Sequence, residues 1–122
     1  MNSPDMARLA AGAAMDKKAL DPIVLDLRDL SSVADFFVIL TGTSDRHVQA
    51  VAHNVMEAFD SLGTKLLGEE GLRNGNWVLM DYGEIVVHVF LESVREYYDI
   101  ERLWLDAPRL DLDGAGEEEE TC

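Results

Sequence analysis

WVLMDYGEIVVHVF, Trp77 to Phe90, reads as two strands joined by a tight turn. Trp77-Val78-Leu79-Met80 leads in, and Ile85 to Phe90 leads out. Asp81-Tyr82-Gly83-Glu84 lies between them, and Gly83 can take the positive φ that short hairpin turns demand. With Tyr82 and Gly83 as the two loop residues, Asp81 faces Glu84, Met80 faces Ile85, Leu79 faces Val86 and Val78 faces Val87. Trp77 then faces His88. Side chains alternate along a strand, so Trp77, Leu79, Val86, His88 and Phe90 share one face of the hairpin. A slip of one residue would send all of them to the other face. Nowhere else does the chain predict adjacency between a large aromatic and a titratable group.

The pattern extends outward from the hairpin. Met6, Leu9, Ala10, Ala13 and Ala14 recur at helical spacing within 6–20, ahead of Pro22. Residues 23–28 form a strand with Ile23, Leu25 and Leu27 on one face. Residues 36–41 are almost wholly apolar, as in a central strand covered on both sides. Ser44 is a good helix N-cap, and Asp45 suits the positive end of the helix dipole. Val48, Val51, Ala52, Val55, Phe59 and Leu62 make one buried stripe, and Gly63 fits the left-handed residue that ends such a helix. Lys65-Leu66-Leu67 forms a short strand, and the glycines of 68–76 mark a loop. A last helix opens on a Ser93/Glu96 capping box and runs to about Leu105. It presses Tyr97, Tyr98 and Trp104 toward the sheet, with room for one exposed tyrosine.

The order is α-β-β-α-β-β-β-α. It predicts an α/β fold, a single domain with a five-stranded mixed sheet flanked by helices. Residues 44–62 provide one right-handed parallel crossover, and the first two and last two strands are antiparallel neighbours. The domain spans 1–109. Residues 110–122, with alternating Asp and Gly and then Glu117–Glu120, read as a disordered acidic tail.

Composition narrows the function. The chain carries 24 acidic residues against 10 basic ones, a net charge of −14. All 10 bases and 18 of the acids precede residue 110, so the body is itself acidic. Direct binding to nucleic acid needs a basic face that releases counterions. The largest Lys/Arg cluster is Lys17-Lys18. Acidity alone also serves solubility. No apolar run approaches the roughly 20 residues of a membrane helix. The Ala-rich start, with Asp5 and Asp16, resembles neither a signal nor a transit peptide. The one cysteine, Cys122, fits a reducing, cytoplasmic setting.

Catalytic signals are weak. Gly42-Thr43-Ser44 precedes a helix start, where backbone N–H groups can hold phosphate. Asp45-Arg46-His47 does not complete a P-loop, and Asp45 would repel a phosphate. The layout also suggests nucleotidyltransferase domains, which place an Asp-x-Asp or Asp-x-Glu pair on the strand after such a turn. The available pairs, Asp99/Glu101 and Asp111/Asp113, fall on a helix and in the tail. His47 and His53 lie about 240° apart around a helix, and His88 stands alone, so no zinc site converges. No cofactor, metal or catalytic residue is expected. A small nucleotide-binding enzyme using the 41–46 turn is the alternative reading.

Four segments carry a resemblance. EEGLRNGNWVLMDYGEIVVHVF at 69–90 is similar to the signature of the ribosomal silencing factor family, also called RsfS or Iojap. ADFFVILTGTSDRHVQAVAHNV at 34–55, REYYDIERLW at 95–104 and VLDLRDLSSVADFF at 24–37 agree with it in order and separation. The resemblance covers about residues 20–106. It implies a non-enzymatic protein that binds the large ribosomal subunit through ribosomal protein L-fourteen and sterically blocks subunit joining, repressing translation. An acidic body suits a basic ribosomal protein better than bare RNA. The expected partner-binding residues are Trp77, Leu79, Asp81, Tyr82, His88 and Phe90. Trp is enriched at binding hot spots, although a strand Trp also commonly packs in a core. Both a monomer and a homodimer of the free protein stay open.

Overall fold

The hairpin forms with its pairing moved by two residues. In the computed structural model, which describes residues 1–112, β4 (Trp77–Asp81) and β5 (Ile85–Leu91) are antiparallel. Trp77 lies opposite Phe90, Leu79 opposite His88 and Asp81 opposite Val86. The turn explains the shift. Gly83, at φ 85°, occupies the first of the two loop positions, not the second. The Tyr82 N–H donates to the Ile85 carbonyl at 3.0 Å, and the Asp81 carboxylate accepts from the Gly83 N–H at 2.8 Å. Hairpin turns accept glycine with positive φ at either position, so the local sequence allows both registers. A two-residue shift preserves faces, and Trp77, Leu79, Val86, His88 and Phe90 stay together.

Five strands form one mixed sheet in the order β1-β2-β5-β4-β3, where β1 is Leu20–Asp26, β2 is Phe36–Gly42 and β3 is Gly68–Glu70. β1/β2, β3/β4 and β4/β5 are antiparallel, as expected for the first and last pairs. The one parallel pairing joins β2 to β5. β2 therefore has a different parallel neighbour from the strand that follows its helix. These two central strands are the most apolar, because layers cover both their faces.

On one face, α1 (Ser3–Met15) and α2 (Asp45–Asp60) bury an Ala/Val-rich layer. Asn2 caps α1 by accepting from the Asp5 N–H at 2.9 Å, and Pro4 sits in the first turn, so the helix starts earlier than its apolar spacing implies. Val48, Val51, Ala52, Val55 and Phe59 are buried as expected, whereas Leu62 lies past the helix end and is exposed. On the other face, Leu25, Leu27, Ile39, Phe90 and Ala107 form a smaller cluster, with Phe37, Trp77, Val94, Ile100 and Trp104 at its margin.

β1 starts and ends earlier than the expected 23–28, and three further boundaries differ from expectation. The third strand forms at Gly68–Glu70, not at Lys65–Leu67. It is an exposed edge strand, held by its ladder to β4 without an apolar face. The last helix, α3 (Glu92–Tyr98), ends where Asp99 takes a left-handed φ of 45°, and a 3-10 helix (Ile100–Trp104) follows. Its N-cap is Leu91, without a side-chain cap bond, so the Ser93/Glu96 box does not form. Third, the body continues past residue 109. The Asp26 N–H donates to the Pro108 carbonyl at 2.8 Å and the Leu110 N–H to the Val24 carbonyl at 2.9 Å. Arg109 thus bridges Leu25 on the outer edge of β1, and Leu110 and Leu112 pack against the larger core. Asp113 and Glu117–Glu120 lie outside the described residues.

Candidate functional site

The sheet face opposite α1 and α2 is only partly covered. α3 and the 3-10 helix reach over one end of it. Arg95 anchors them, donating from Nε and Nη2 to Glu101 at 2.9 and 3.2 Å and from Nη1 to the Asp21 carbonyl and Thr41 Oγ1 at 2.8 and 2.7 Å. Beyond this staple, Trp77, Leu79 and Asp81 of β4 remain half-buried. Tyr98 lies against Trp77, with ring centroids 5.1 Å apart. Tyr97 and Tyr98 of α3, and Leu103 and Leu105 after it, are all more than half exposed. Asp99, at a left-handed φ of 45°, ends α3 after Tyr98, and both tyrosines are exposed where room for one was expected. Trp104 does pack inward, meeting Phe37 edge-on at 5.9 Å.

The six expected partner-binding residues separate into three groups. Trp77, Leu79 and Asp81 present atoms to solvent on the open face. His88 and Phe90 lie beneath them, 4% and 0% exposed, and support the surface without forming it. Tyr82 belongs to the other side of the molecule. It is buried against Phe59 of α2, with centroids 4.2 Å apart, and burial followed by the charge of Asp60 pushes its hydroxyl pKa up to about 12. A turn residue is ordinarily exposed; here Phe59 reaches the turn from α2 and covers it. Phe37 was not singled out, because in the sequence it is one more residue of an apolar strand.

Trp77 and His88 meet directly. The indole Nε1–H donates to His88 Nδ1 at 3.1 Å. Nδ1 is therefore the acceptor, and the neutral ring carries its proton on Nε2. Nε2 is buried and has no hydrogen-bond partner among the described residues. Burial pushes the His88 pKa down to about 4, so the ring is neutral at ordinary pH. The edge of Phe37 meets it at 4.7 Å, and the Phe90 ring lies parallel within 8°.

The β2–α2 turn has the opposite character, because three of its backbone donors are used internally. The Thr43 N–H donates to His47 Nδ1 at 2.9 Å, the Arg46 N–H to Asp45 Oδ1 at 2.8 Å and the His47 N–H to Ser44 Oγ at 3.1 Å. His47 Nε2 in turn donates to the Lys17 carbonyl at 2.7 Å. Gly75 closes over the turn so tightly that a Cβ there would lie 2.6 Å from the Asp45 carbonyl oxygen. Amides that could cradle a phosphate already hold the chain to itself. Of the candidate metal pairs, Glu101 is bound by Arg95, Asp99 lies 3.6 Å from Arg102, and Asp113 falls outside the described residues. Among the described residues no group of three potential ligands converges, and no helix is long and apolar enough to cross a membrane.

The family model described as ribosomal silencing factor during starvation matches residues 1–121. The ribosomal silencing factor RsfS of Bacillus subtilis is 44% identical over 113 residues, spanning 93% of this chain and 96% of the relative. A mouse protein named mitochondrial assembly of ribosomal large subunit protein 1 is 32% identical over 91 residues, which is 72% of this chain and 40% of that protein. A crystal structure of a Chromobacterium violaceum protein superposes with a TM-score of 0.83 at 42% identity, covering 85% of this chain and 87% of that one. With its five-stranded sheet, its helices and its signature hairpin in place, this chain belongs to the ribosomal silencing factor family.

Proposed function

We propose that the chain binds the large ribosomal subunit by docking its open sheet face on ribosomal protein L-fourteen, and that it blocks subunit joining by occupying space. One observation carries the reading: the half-covered face at Trp77 and Leu79, with exposed Tyr98 against Trp77 and exposed Tyr97 against Tyr98. An exposed cluster of aromatic and aliphatic side chains marks an interaction surface. The body around it is acidic, which suits a basic ribosomal protein and not bare RNA. The Bacillus subtilis relative is named for silencing ribosomes, and the mouse relative for assembling a ribosomal large subunit. Blocking requires no chemistry. A domain of this length has a radius of gyration of about 14 Å, large enough to hold intersubunit contacts apart. Co-sedimentation with isolated large subunits tests the docking. Binding of the intact chain, with loss on Trp77→Ala in a folded protein, is the expected result. Unchanged binding by Trp77→Ala would remove this face from the reading.

A further inference from the structure

Buried His88 is a costly residue to place under an aromatic surface. The residue is 4% exposed, and Nε2 of its ring has no partner among the described residues. An orphaned buried donor costs free energy, so a leucine would fill this apolar site more cheaply unless the ring's polarity had a use. Among the described residues the ring's one hydrogen bond is to Trp77. The ring cannot swing away from that bond, because it lies parallel to Phe90 and meets the edge of Phe37.

Trp77 needs such an anchor. It is the first residue of β4, and the β3 ladder stops at Leu79, so among the described residues the loop at Gly71 and not a paired strand lies against Trp77 on its outer side. Its other ring neighbours are Phe90, with centroids 4.7 Å apart and planes tilted by 32°, and the half-exposed Tyr98. Such ring contacts tolerate sliding and rotation. The bond from Nε1–H to Nδ1 does not, since it fixes which edge of the indole points inward and which side faces solvent.

We propose that His88 is a positioning residue for recognition: it locks the Trp77 indole in one orientation before the partner arrives. The inference rests on the docking role given to Trp77 above, and it adds a residue that never touches the partner. An ordered side chain loses less entropy on binding, so the effect appears as affinity.

Two substitutions test it. His88→Asn keeps an acceptor near the place of Nδ1, and His88→Leu removes it at similar volume. The readouts are the Trp77 indole N–H resonance in the free protein, assigned with Trp77→Phe, and affinity for isolated large subunits. His88→Leu should move that resonance toward the position of an unbonded indole and weaken binding about five- to tenfold, the equivalent of one hydrogen bond. His88→Asn should restore most of both, which loss of packing alone would not produce. If Trp77→Ala impairs binding while folded His88→Leu binds normally, positioning is overturned and the docking face stands. If Trp77→Ala binds normally, the docking face itself falls. Indole hydrogen exchange in the unmodified protein needs no variant to fold. Protection of the Trp77 N–H is expected, and exchange at the rate of a free indole would overturn the proposal.

Discussion

Trp77 Nε1 lies 3.1 Å from His88 Nδ1 although the two residues are not opposite each other in the ladder. Leu79 faces His88, and Trp77 reaches it diagonally, two positions along the strand. Long side chains commonly span this diagonal on one face of an antiparallel pair. The contact survives a two-residue error in register because face depends only on parity. That relationship separates the effects of neighbouring substitutions in the hairpin.

Trp77→Ala and Phe90→Ala should differ in kind. Phe90 is fully buried, and its truncation should cost about 3–5 kcal/mol of folding stability. Trp77 is half-buried, so its truncation should cost less stability but about 2 kcal/mol or more of binding to the large subunit. Urea denaturation and co-sedimentation on the same two proteins check this. Equal stability losses with equal binding would show that Trp77 acts only as core.

How far the sequence carried depended on range. Ser44 was readable as a cap because capping is local, and its hydroxyl does accept from the His47 N–H. The stripe from Val48 to Phe59 was readable because one helix face repeats. The β2–β5 neighbourhood was not, since residues 43–84 separate the strands and nothing local records which partner wins. The burial of Tyr82 had the same cause, as its cover is Phe59 on a distant helix. The open sheet face was half legible. Trp77 and Leu79 followed from alternation, but which layer lay above them depended on α3 stopping at the left-handed Asp99.

Stability should fall in mild acid because of His88. Its pKa drops from 6.5 in the unfolded chain to about 4 when buried. Between those values the unfolded chain binds a proton that the folded one refuses. The contribution is therefore intact above pH 6.5, declines as pH falls and levels off near pH 4, at a total loss of about 3 kcal/mol. The stability difference between the native chain and His88→Asn, followed by denaturation from pH 7 to 4.5, should shrink across this window. A constant difference would mean that His88 is not neutral and buried.

Two C-terminal deletions should part company. Residues 113–122 contain almost no apolar side chains, so removing them should leave the melting temperature within about a degree. Removing 110–122 also takes away Leu110, Leu112 and the bond to the Val24 carbonyl. That should cost about 2 kcal/mol and lower the melting temperature by several degrees. Identical thermal curves for the two deletions would show that Leu110 and Leu112 contribute nothing.

Nucleotides should not bind at the 41–46 turn. The amides of Thr43, Arg46 and His47 already donate to His47, Asp45 and Ser44. A phosphate would have to break these bonds and approach the Asp45 carboxylate. Calorimetry with magnesium ATP at millimolar concentration should give only heats of dilution. A saturable signal abolished by Gly42→Ala, a change that forces a Cβ to within 2.7 Å of Val48 Cγ2, would return the turn to consideration.

The last prediction concerns stoichiometry on the ribosome. A protein that blocks joining by occupying space must be present once per large subunit, because each particle needs its own bound copy. An enzyme that modified the particle would act at a small fraction of that amount, and its effect would outlast its removal. The open aromatic face and the internally satisfied turn both favour the first behaviour. Subunit joining, followed by sedimentation while the protein is titrated, should therefore fall in proportion to bound protein and reach completion only near equimolar. Raising the salt weakens attraction between an acidic body and a basic partner, so the titration should shift to higher protein concentration. Washing the protein from the particles should restore joining without further treatment. Full inhibition at a few copies per hundred subunits, persisting after the wash, would rule out occupation of space as the mechanism.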